Sequence, residues 1–359
     1  MKKLKLAIIG QGRSGRDIHG AFFKSKENIY FDVAAVVEED EFRRNNAKQE
    51  YPGCKVFADY RELLELKDID LVVNASYSDM HYEITKDLLK HHFNVLVEKP
   101  FARNYYECSD LIKTADERGV MLSVFQQVFF TPFYTVAKEI ADSGVLGEIL
   151  QVSVYYNGFA RRWDWQSLQM RLGGSVYNTG PHPIGIAMGF LDFNNATRVE
   201  FSRLGRALTS GDAEDYAKII LTAPDKPVVD IEVSSTDAFS DFKIKIQGTK
   251  GTYIGTTGKY KIKYIVEGEN PERPVIFETL KDEKGFPMYC KEDLITHTEE
   301  KEIQGTAFDV GVVNNYRLLY DNLTKGTPLP ISNENYAEIV RIIETVHAQN
   351  PLSVKYPVN

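Results

Sequence analysis

Short, unbroken apolar runs alternate with amphipathic stretches through the first third of the chain. LKLAIIG (4–10) ends in glycine and leads into QGRSGRDIHGAFFKS, where the apolar spacing is helical. DVAAVVEED (32–40) ends in acids and precedes a polar helix, EFRRNNAKQEY (41–51). KVFADY (55–60) reads as a short extended piece with RELLEL (61–66) helical after it. DLVVNAS (70–76) is another strand, and MHYEITKDLLKHH (80–92) is amphipathic, with Ile84, Leu88 and Leu89 on one side. NVLVE (94–98), a helix over Tyr105–Arg118 and VMLSVF (120–125) complete the series. Strands apolar on both faces and separated by helices require a parallel sheet covered on both sides. With right-handed crossovers this predicts a doubly wound, dinucleotide-binding domain over residues 1–124.

From about Gln126 the pattern changes. After one more helix (134–143), the strands lengthen and alternate: EILQVSVYY (148–156), DYAKIILTA (215–223), VVDIEVSST (228–236) and FKIKIQGTKGTYI (242–254). Such alternation predicts a mostly antiparallel open sheet with one packed and one partly wet face. PDKP (224–227) and GTKG (248–251) have turn chemistry, and NENYAEIVRIIETVHAQN (333–350) is an amphipathic helix. The fold class is therefore α/β, with a second α+β domain over 125–359 that carries the substrate site and subunit contacts. The passage between the two domains is expected to be a tight crossover.

Composition narrows the partners. A net charge of −8 in 359 residues disfavours nucleic acid and anionic membranes, and the Arg43-Arg44 and Arg161-Arg162 pairs are too short to reverse that. Cys54, Cys108 and Cys290 are far apart, odd in number and without CxxC spacing. No disulfide framework and no metal site is expected, and a reducing, cytoplasmic setting fits. Nothing approaches the roughly 18 apolar residues of a membrane span. Leu4 to Ile9 runs straight into glycines and reads as a first strand, not a signal peptide.

The chemistry starts at Gly10-Gln11-Gly12-Arg13-Ser14-Gly15, a GxGxxG that follows a strand and opens a helix. The first glycine permits the turn, the second lets backbone approach a pyrophosphate, and the third lets helix pack on strand. Glu38 ends the second strand, where a carboxylate accepts both ribose hydroxyls and repels a 2′-phosphate, so NAD is expected in preference to NADP. NVLVEKPFA (94–102) ends a buried strand in a carboxylate, an ammonium and a proline. Pro100 keeps Lys99 extended, and strand alternation sends Glu98 and Lys99 to opposite sides. Standing alone, such a lysine reads as a solvated surface residue.

It does not stand alone. The glycine loop, NAS with His81 (74–81), LVEKP (96–100), SGVLGEI (143–149) and GGSVYNTGPH (173–182) resemble, in order and spacing, the Gfo/Idh/MocA oxidoreductases. The resemblance covers most of the chain and is specific to about residue 190. It implies that Lys99 contacts both nicotinamide and substrate, and that Ala75, Ser76, His81 and Glu98 belong to the cofactor site. It implies also an open antiparallel sheet in the second domain, lining the substrate pocket and forming a homodimer or homotetramer interface.

In that family an Asp stands four residues before a catalytic His; here the pair is Asn178 and His182. Asn hydrogen-bonds a hydroxyl but supplies no charge to hold an imidazolium. Altered substrate, lower basicity at His182 and loss of activity all remain open. Removing a hydroxyl proton suits a base of near-neutral pKa, which assigns His182 as acid/base. Lys99 then orients the alcohol and stabilises alkoxide charge, with exchange of the two roles open. Tyr156, Arg161 and Trp163 in YYNGFARRWDWQ (155–166), with Tyr177, are candidate substrate contacts, and their composition suits a subunit interface equally. The expected function is NAD(P)-dependent hydride transfer to or from a sugar, inositol or related polyol. The alternatives are a glycosidase using transient oxidation and a non-catalytic dinucleotide sensor.

Overall fold

A computed structural model describes residues 2–357. The first part is built as β1 (Leu4–Ile9), a π-helical turn (Arg13–His19) running into α1 (Gly20–Phe23), β2 (Phe31–Val37), α2 (Glu41–Glu50), β3 (Lys55–Phe57), β4 (Leu71–Asn74), α3 (His81–Lys90), β5 (Val95–Glu98), α4 (Tyr105–Arg118) and β6 (Leu122–Phe125). The strands form one sheet in the order β3-β2-β1-β4-β5-β6, with every pairing parallel. β4, β5 and β6 are buried along their whole length, which is why their sequences show no polar alternation. The order reverses between β1 and β4, and that switch point opens a crevice at the carboxyl ends of the strands.

The second part follows with α5 (Pro132–Asp142), β7 (Ile149–Asn157), α6 (Ser175–Asn178), α7 (Pro181–Phe190), β8 (Arg198–Gly205), β9 (Tyr216–Thr222), β10 (Val228–Ser234), β11 (Ile244–Gly248), β12 (Gly251–Gly255), β13 (Lys259–Tyr264), β14 (His297–Glu302), α8 (Val313–Lys325) and α9 (Asn333–Gln349). Its eight strands are ordered β14-β13-β12-β11-β7-β10-β9-β8. All neighbours are antiparallel except β7 and β10, which run parallel in the middle of the sheet. FKIKIQGTKGTYI is two strands folded at the GTKG turn, and PDKP links β9 to β10. α7 is buried along most of its length and packs against β7 and β10.

Sequence pattern left α8 unnamed, and its position is informative. α8 and the turn before it leave the second sheet and pack on the first: Val312, Tyr316, Leu319 and Tyr320 join Leu6, Ile8, Phe22 and Phe31 in one apolar cluster. The Tyr316 ring stacks on Phe22, with centroids 4.5 Å apart and planes at 4°. The Tyr320 hydroxyl donates to the Lys2 carbonyl at 2.9 Å. α9 lies against α4, and the Tyr105 N–H donates to Glu344 Oε2.

Between β13 and β14, which pair with each other, the chain makes a long excursion over residues 265–296. The excursion is tied across its own width by Asn270 with Ile295 and by Arg273 with Glu292. It holds out Phe277 and Tyr289 at 93% and 95% exposure. No helix of the described residues is long and apolar enough to cross a membrane.

The Tyr316 hydroxyl is hydrogen-bonded to the buried His19 Nδ1 at 2.6 Å. Tyr316→Phe keeps the stacked ring and strands that nitrogen, so a loss of about 1–3 kcal/mol in unfolding free energy is expected, measured by denaturant titration.

Candidate active site

The crevice at the switch point is a cleft of about 760 Å³, walled on one side by the ends of β1, β2, β4 and β5 and on the other by residues 162–182. Its floor begins at the glycine loop. Gly10 has φ +90°, a left-handed conformation that disfavours a side chain. A Cβ on Gly15 would stand 1.9 Å from the Gly10 carbonyl oxygen, so only hydrogen lets the helix approach the strand. A Cβ on Gly12 would meet nothing within 4 Å, which leaves that backbone open toward the cleft. No side chain caps the helical turn that starts at Arg13. Gly12, Arg13 and Ser14 at its start line the cavity, and the start of a helical turn attracts phosphate. The residues present therefore fit a dinucleotide.

At the far end of β2, Glu38 is 5% exposed. Oε2 accepts the Gln11 N–H at 2.7 Å, and Oε1 accepts the Asp40 N–H at 3.0 Å and the Arg43 guanidinium at 2.9 Å. The carboxylate thus locks the glycine loop to the second strand, and both oxygens already have protein partners. Arg43 lines the cleft beside it. Sequence reading treated Arg43 only as surface charge. Its signal was its place five residues after the acid, in the first turn of α2, where an arginine accommodates a 2′-phosphate.

The opposite end holds the EKP turn. The Lys99–Pro100 peptide bond is cis. Glu98 is buried; its Oε2 accepts the Lys99 N–H at 3.0 Å and its Oε1 lies 3.2 Å from His19 Nε2. Burial works against its charge, but the His19 hydrogen bond, with Lys99 and His81 nearby, holds its pKa down to about 2. His81 Nδ1 lies 2.7 Å from the Pro100 carbonyl and Nε2 3.2 Å from the Ser76 carbonyl, clamping the two cofactor-side turns together. Burial lowers the His81 pKa, opposed by those carbonyls.

Lys99 reaches across the cleft, and its ammonium donates to the Asn178 carbonyl at 2.8 Å. Burial lowers its pKa; Glu98 opposes the shift, and Arg162 and Arg13 reinforce it. His182 stands one turn further along, in the first turn of α7, and lines the same end. Burial, then the nearby Lys99 charge, brings its pKa down to about 3 against the pull of Glu98. The imidazole is therefore neutral across the physiological range, and its Nδ1 is buried without a partner among the described residues. Tyr156 stacks against it with centroids 6.2 Å apart.

The structure thus brings together Gly10, Gly12, Arg13, Ser14, Glu38, Ala75, Ser76, His81, Glu98, Lys99, Asn178 and His182 on one cleft. Gln11 and Gly15 support the loop from behind. Arg161, Trp163 and Tyr177 are not on this wall. Arg161 is exposed and Trp163 is 78% exposed, away from the cleft that Arg162 and Asp164 of the same segment line. The Tyr177 hydroxyl donates to the Arg103 carbonyl and its ring stacks on His347, so it buttresses the domain junction. Their neighbours Arg162, Asp164, Trp165 and Gln166 line the cleft instead. Sequence composition located this segment but not its facing. Among the described residues, no group of three or more His, Cys, Asp or Glu is arranged to hold a metal.

Fold, glycine cradle and a lysine–histidine pair in one cleft define a dinucleotide-dependent oxidoreductase architecture. Residues 4–126 match the Gfo/Idh/MocA oxidoreductase family with its NAD-binding Rossmann fold, and residues 134–254 match the Gfo/Idh/MocA C-terminal domain. The chain belongs to that family. It is 28% identical over 281 residues to an uncharacterized oxidoreductase of Schizosaccharomyces pombe, covering 76% of each chain. It is 22% identical over 346 residues to a scyllo-inositol 2-dehydrogenase (NADP(+)) of Bacillus subtilis, covering 95% of this chain and 92% of that one. A 3-ketoreductase of Actinomadura kijaniata, solved with NADP and TDP-benzene, superposes with a TM-score of 0.78 at 16% identity, covering 99% and 100% of the chains.

Arg43→Ala removes the cation beside the Glu38 carboxylate. KM for NADP is expected to rise by about tenfold or more, as for loss of one charged hydrogen bond, with a smaller change for NAD; steady-state kinetics with both cofactors measure the ratio.

Proposed function

We propose that the chain interconverts a secondary alcohol and a ketone on a sugar, inositol or related polyol, with NAD preferred over NADP. The observation that carries this reading is the convergence of the Lys99 ammonium and the neutral His182 imidazole at one end of the dinucleotide cleft. The names of the inositol dehydrogenase and ketoreductase relatives support it.

Bound in the cleft, the dinucleotide supplies the hydride acceptor or donor. The protein handles the proton and the charge. His182, unprotonated and buried, accepts the hydroxyl proton of an alcohol in oxidation and returns it in reduction. Lys99 is already directed into the cleft by its bond to the Asn178 carbonyl, so it donates to the reacting oxygen and stabilises negative charge there without reorganising. The Asn178 side-chain amide has no partner among the described residues and faces the cleft, where it serves a substrate hydroxyl. The depressed pKa of Lys99 keeps the exchanged assignment, lysine as proton acceptor, chemically open.

We propose also that the protein self-associates as a homodimer or homotetramer and works in a reducing compartment. The apolar arm between β13 and β14 supports the first, and the three unpaired cysteines support the second.

Screening polyols, aldoses, inositols and keto-sugars at the reduced-nicotinamide absorbance band tests the reaction. In Lys99→Ala, turnover of any substrate found is expected to fall by about a thousandfold, the scale of a lost acid–base or charge-stabilising group, while calorimetric NAD affinity is largely retained. Wild-type turnover in that variant removes Lys99 from the mechanism.

The pH profile separates the two assignments. A base with its pKa lowered to about 3 is in its accepting form above that pH, so kcat/KM for oxidation should show no acid limb near 6.5. Lys99 must keep its proton, so activity should fall on the alkaline side, through a pKa below the ordinary 10.5. An activity that instead rises with pH above 6.5 makes Lys99 the base.

A further inference from the structure

α6 is a single helical turn, Ser175–Asn178, and it links the two halves of the chain at the reacting end. The Asn178 carbonyl accepts the Lys99 ammonium at 2.8 Å, and the Tyr177 hydroxyl donates to the Arg103 carbonyl at 2.9 Å. Two successive residues thus reach the segment that follows β5. One turn does not hold itself in place, since its first hydrogen bond must fix several residues at once. Its position is set from the other side.

That side is Glu214, two residues before β9. Its backbone carbonyl accepts the Ser175 N–H and its Oε1 accepts the Val176 N–H, both at 2.8 Å. These are the first N–H groups of α6, which a helix leaves without internal partners. A Cβ on Gly174 would lie 2.5 Å from either carboxylate oxygen, so only glycine before the helix lets the carboxylate in. Glu214 Oε2 lies 3.5 Å from His347 Nε2 on α9. His347 Nδ1 lies 2.9 Å from the Ile343 carbonyl and donates to it, so Nε2 donates to Glu214 only in the imidazolium form. Burial opposes that form, but the Glu214 carboxylate and the Ile343 carbonyl outweigh it and raise the His347 pKa. The His347 ring closes the circle by stacking on Tyr177, with centroids 4.7 Å apart. The Glu214 side chain is 1% exposed, too deep to touch a substrate, so it acts only through α6.

We infer that Glu214, paired with His347, is a positioning residue for the reacting end: it fixes α6 so that Asn178 presents its carbonyl to Lys99. The inference rests on the reading of Lys99 as a group of the reacting end and deepens it. A hydrogen bond to the charged form of an amine favours that form. Displacing α6 therefore frees the Lys99 proton, which burial already weakens, and leaves the side chain undirected. The ionisation of one domain's lysine is then set by a carboxylate of the other that never meets it.

The test reads Lys99 itself and needs no substrate. Only the unprotonated amine reacts with N-succinimidyl acetate, so the rate of Lys99 acetylation against pH, followed by peptide mass spectrometry of the full-length protein, gives its apparent pKa. In Glu214→Ala that pKa is expected to fall by about one unit, the scale of one hydrogen bond to a charged group, and labelling at pH 7 to rise about tenfold. Glu214→Gln keeps an acceptor for the Val176 N–H and is expected to return labelling to within about threefold of wild type. His347→Phe keeps the ring on Tyr177 and removes the cation; a smaller rise is expected, and this variant carries the test if Glu214→Ala does not fold. Ile219→Ala, a core truncation in β9, controls for lost stability and is expected to label as wild type. Calorimetric NAD affinity, set by the distant glycine loop, is expected to hold in every variant. Wild-type labelling in both Glu214→Ala and His347→Phe overturns the inference. So does an equal rise in Ile219→Ala, or a rise accompanied by loss of NAD affinity, since either marks general loosening of the fold. A shift confined to the Glu214 and His347 variants supports the positioning role even if no sugar or polyol is turned over, in which case the dehydrogenase reading alone fails.

Discussion

The hydrogen bond from the Lys99 ammonium to the Asn178 carbonyl joins the end of a parallel strand to the turn that opens α7, and the rest of the site depends on it. A partly buried ammonium loses hydration, and burial lowers its pKa. The carbonyl and the neighbouring Glu98 charge oppose that shift. Glu98 is in turn kept ionised by His19, and His19 is braced by Tyr316. Residues 19, 98, 99, 178 and 316 thus form one chain of contacts, drawn from both the N-terminal and the C-terminal parts of the sequence. Removing any link leaves a buried polar group unsatisfied, which costs more than the bond itself was worth.

The same electrostatics divides the cleft into two kinds of chemistry. At the dinucleotide cradle, polar backbone and paired side chains dominate: a helix start without a side-chain cap, and the Glu38 side chain hydrogen-bonded to the Arg43 guanidinium. At the reacting end, burial weakens both basic groups, so His182 is neutral and Lys99 holds its proton less firmly than a solvated lysine. Two titratable groups shifted by a shared environment are what proton transfer beside a developing alkoxide requires. Asn178 fits this balance. An aspartate there would add negative charge beside both groups and raise their pKa values, whereas the amide leaves them low and offers both a donor and an acceptor.

α8 and α9 explain how the halves stay registered. α8 covers one face of the parallel sheet and delivers Tyr316 to His19, while α9 packs against α4 on the other side. The cleft is therefore gripped from behind by the C-terminal third of the chain. Its width is set by apolar packing remote from the chemistry, and rigid packing of this kind keeps the lysine and histidine at one separation.

Local pattern determined much of this protein. The parallel strands announced themselves because both faces are buried, and the glycine loop because Gly10 and Gly15 allow a backbone approach that no side chain permits. EKP and the Asn178–His182 spacing pointed to the reacting end only through the family resemblance, because a lysine before a proline and a histidine in a helix have no chemistry of their own that local pattern reveals. α8 carries Val313, Tyr316, Leu319, Tyr320 and Leu323 at helical spacing but was not assigned as an element, and nothing local tells which sheet it covers. β14, HTEEKE, carries no apolar pattern at all; it is a strand only because β13 offers it an open edge. The parallel β7–β10 pairing, the capture of Glu38 by Gln11 and Arg43, and the outward facing of Arg161 and Trp163 arise from residues far apart in sequence. Periodicity records which face of an element is dry. It does not record which distant element dries it, and that choice is made by tertiary packing.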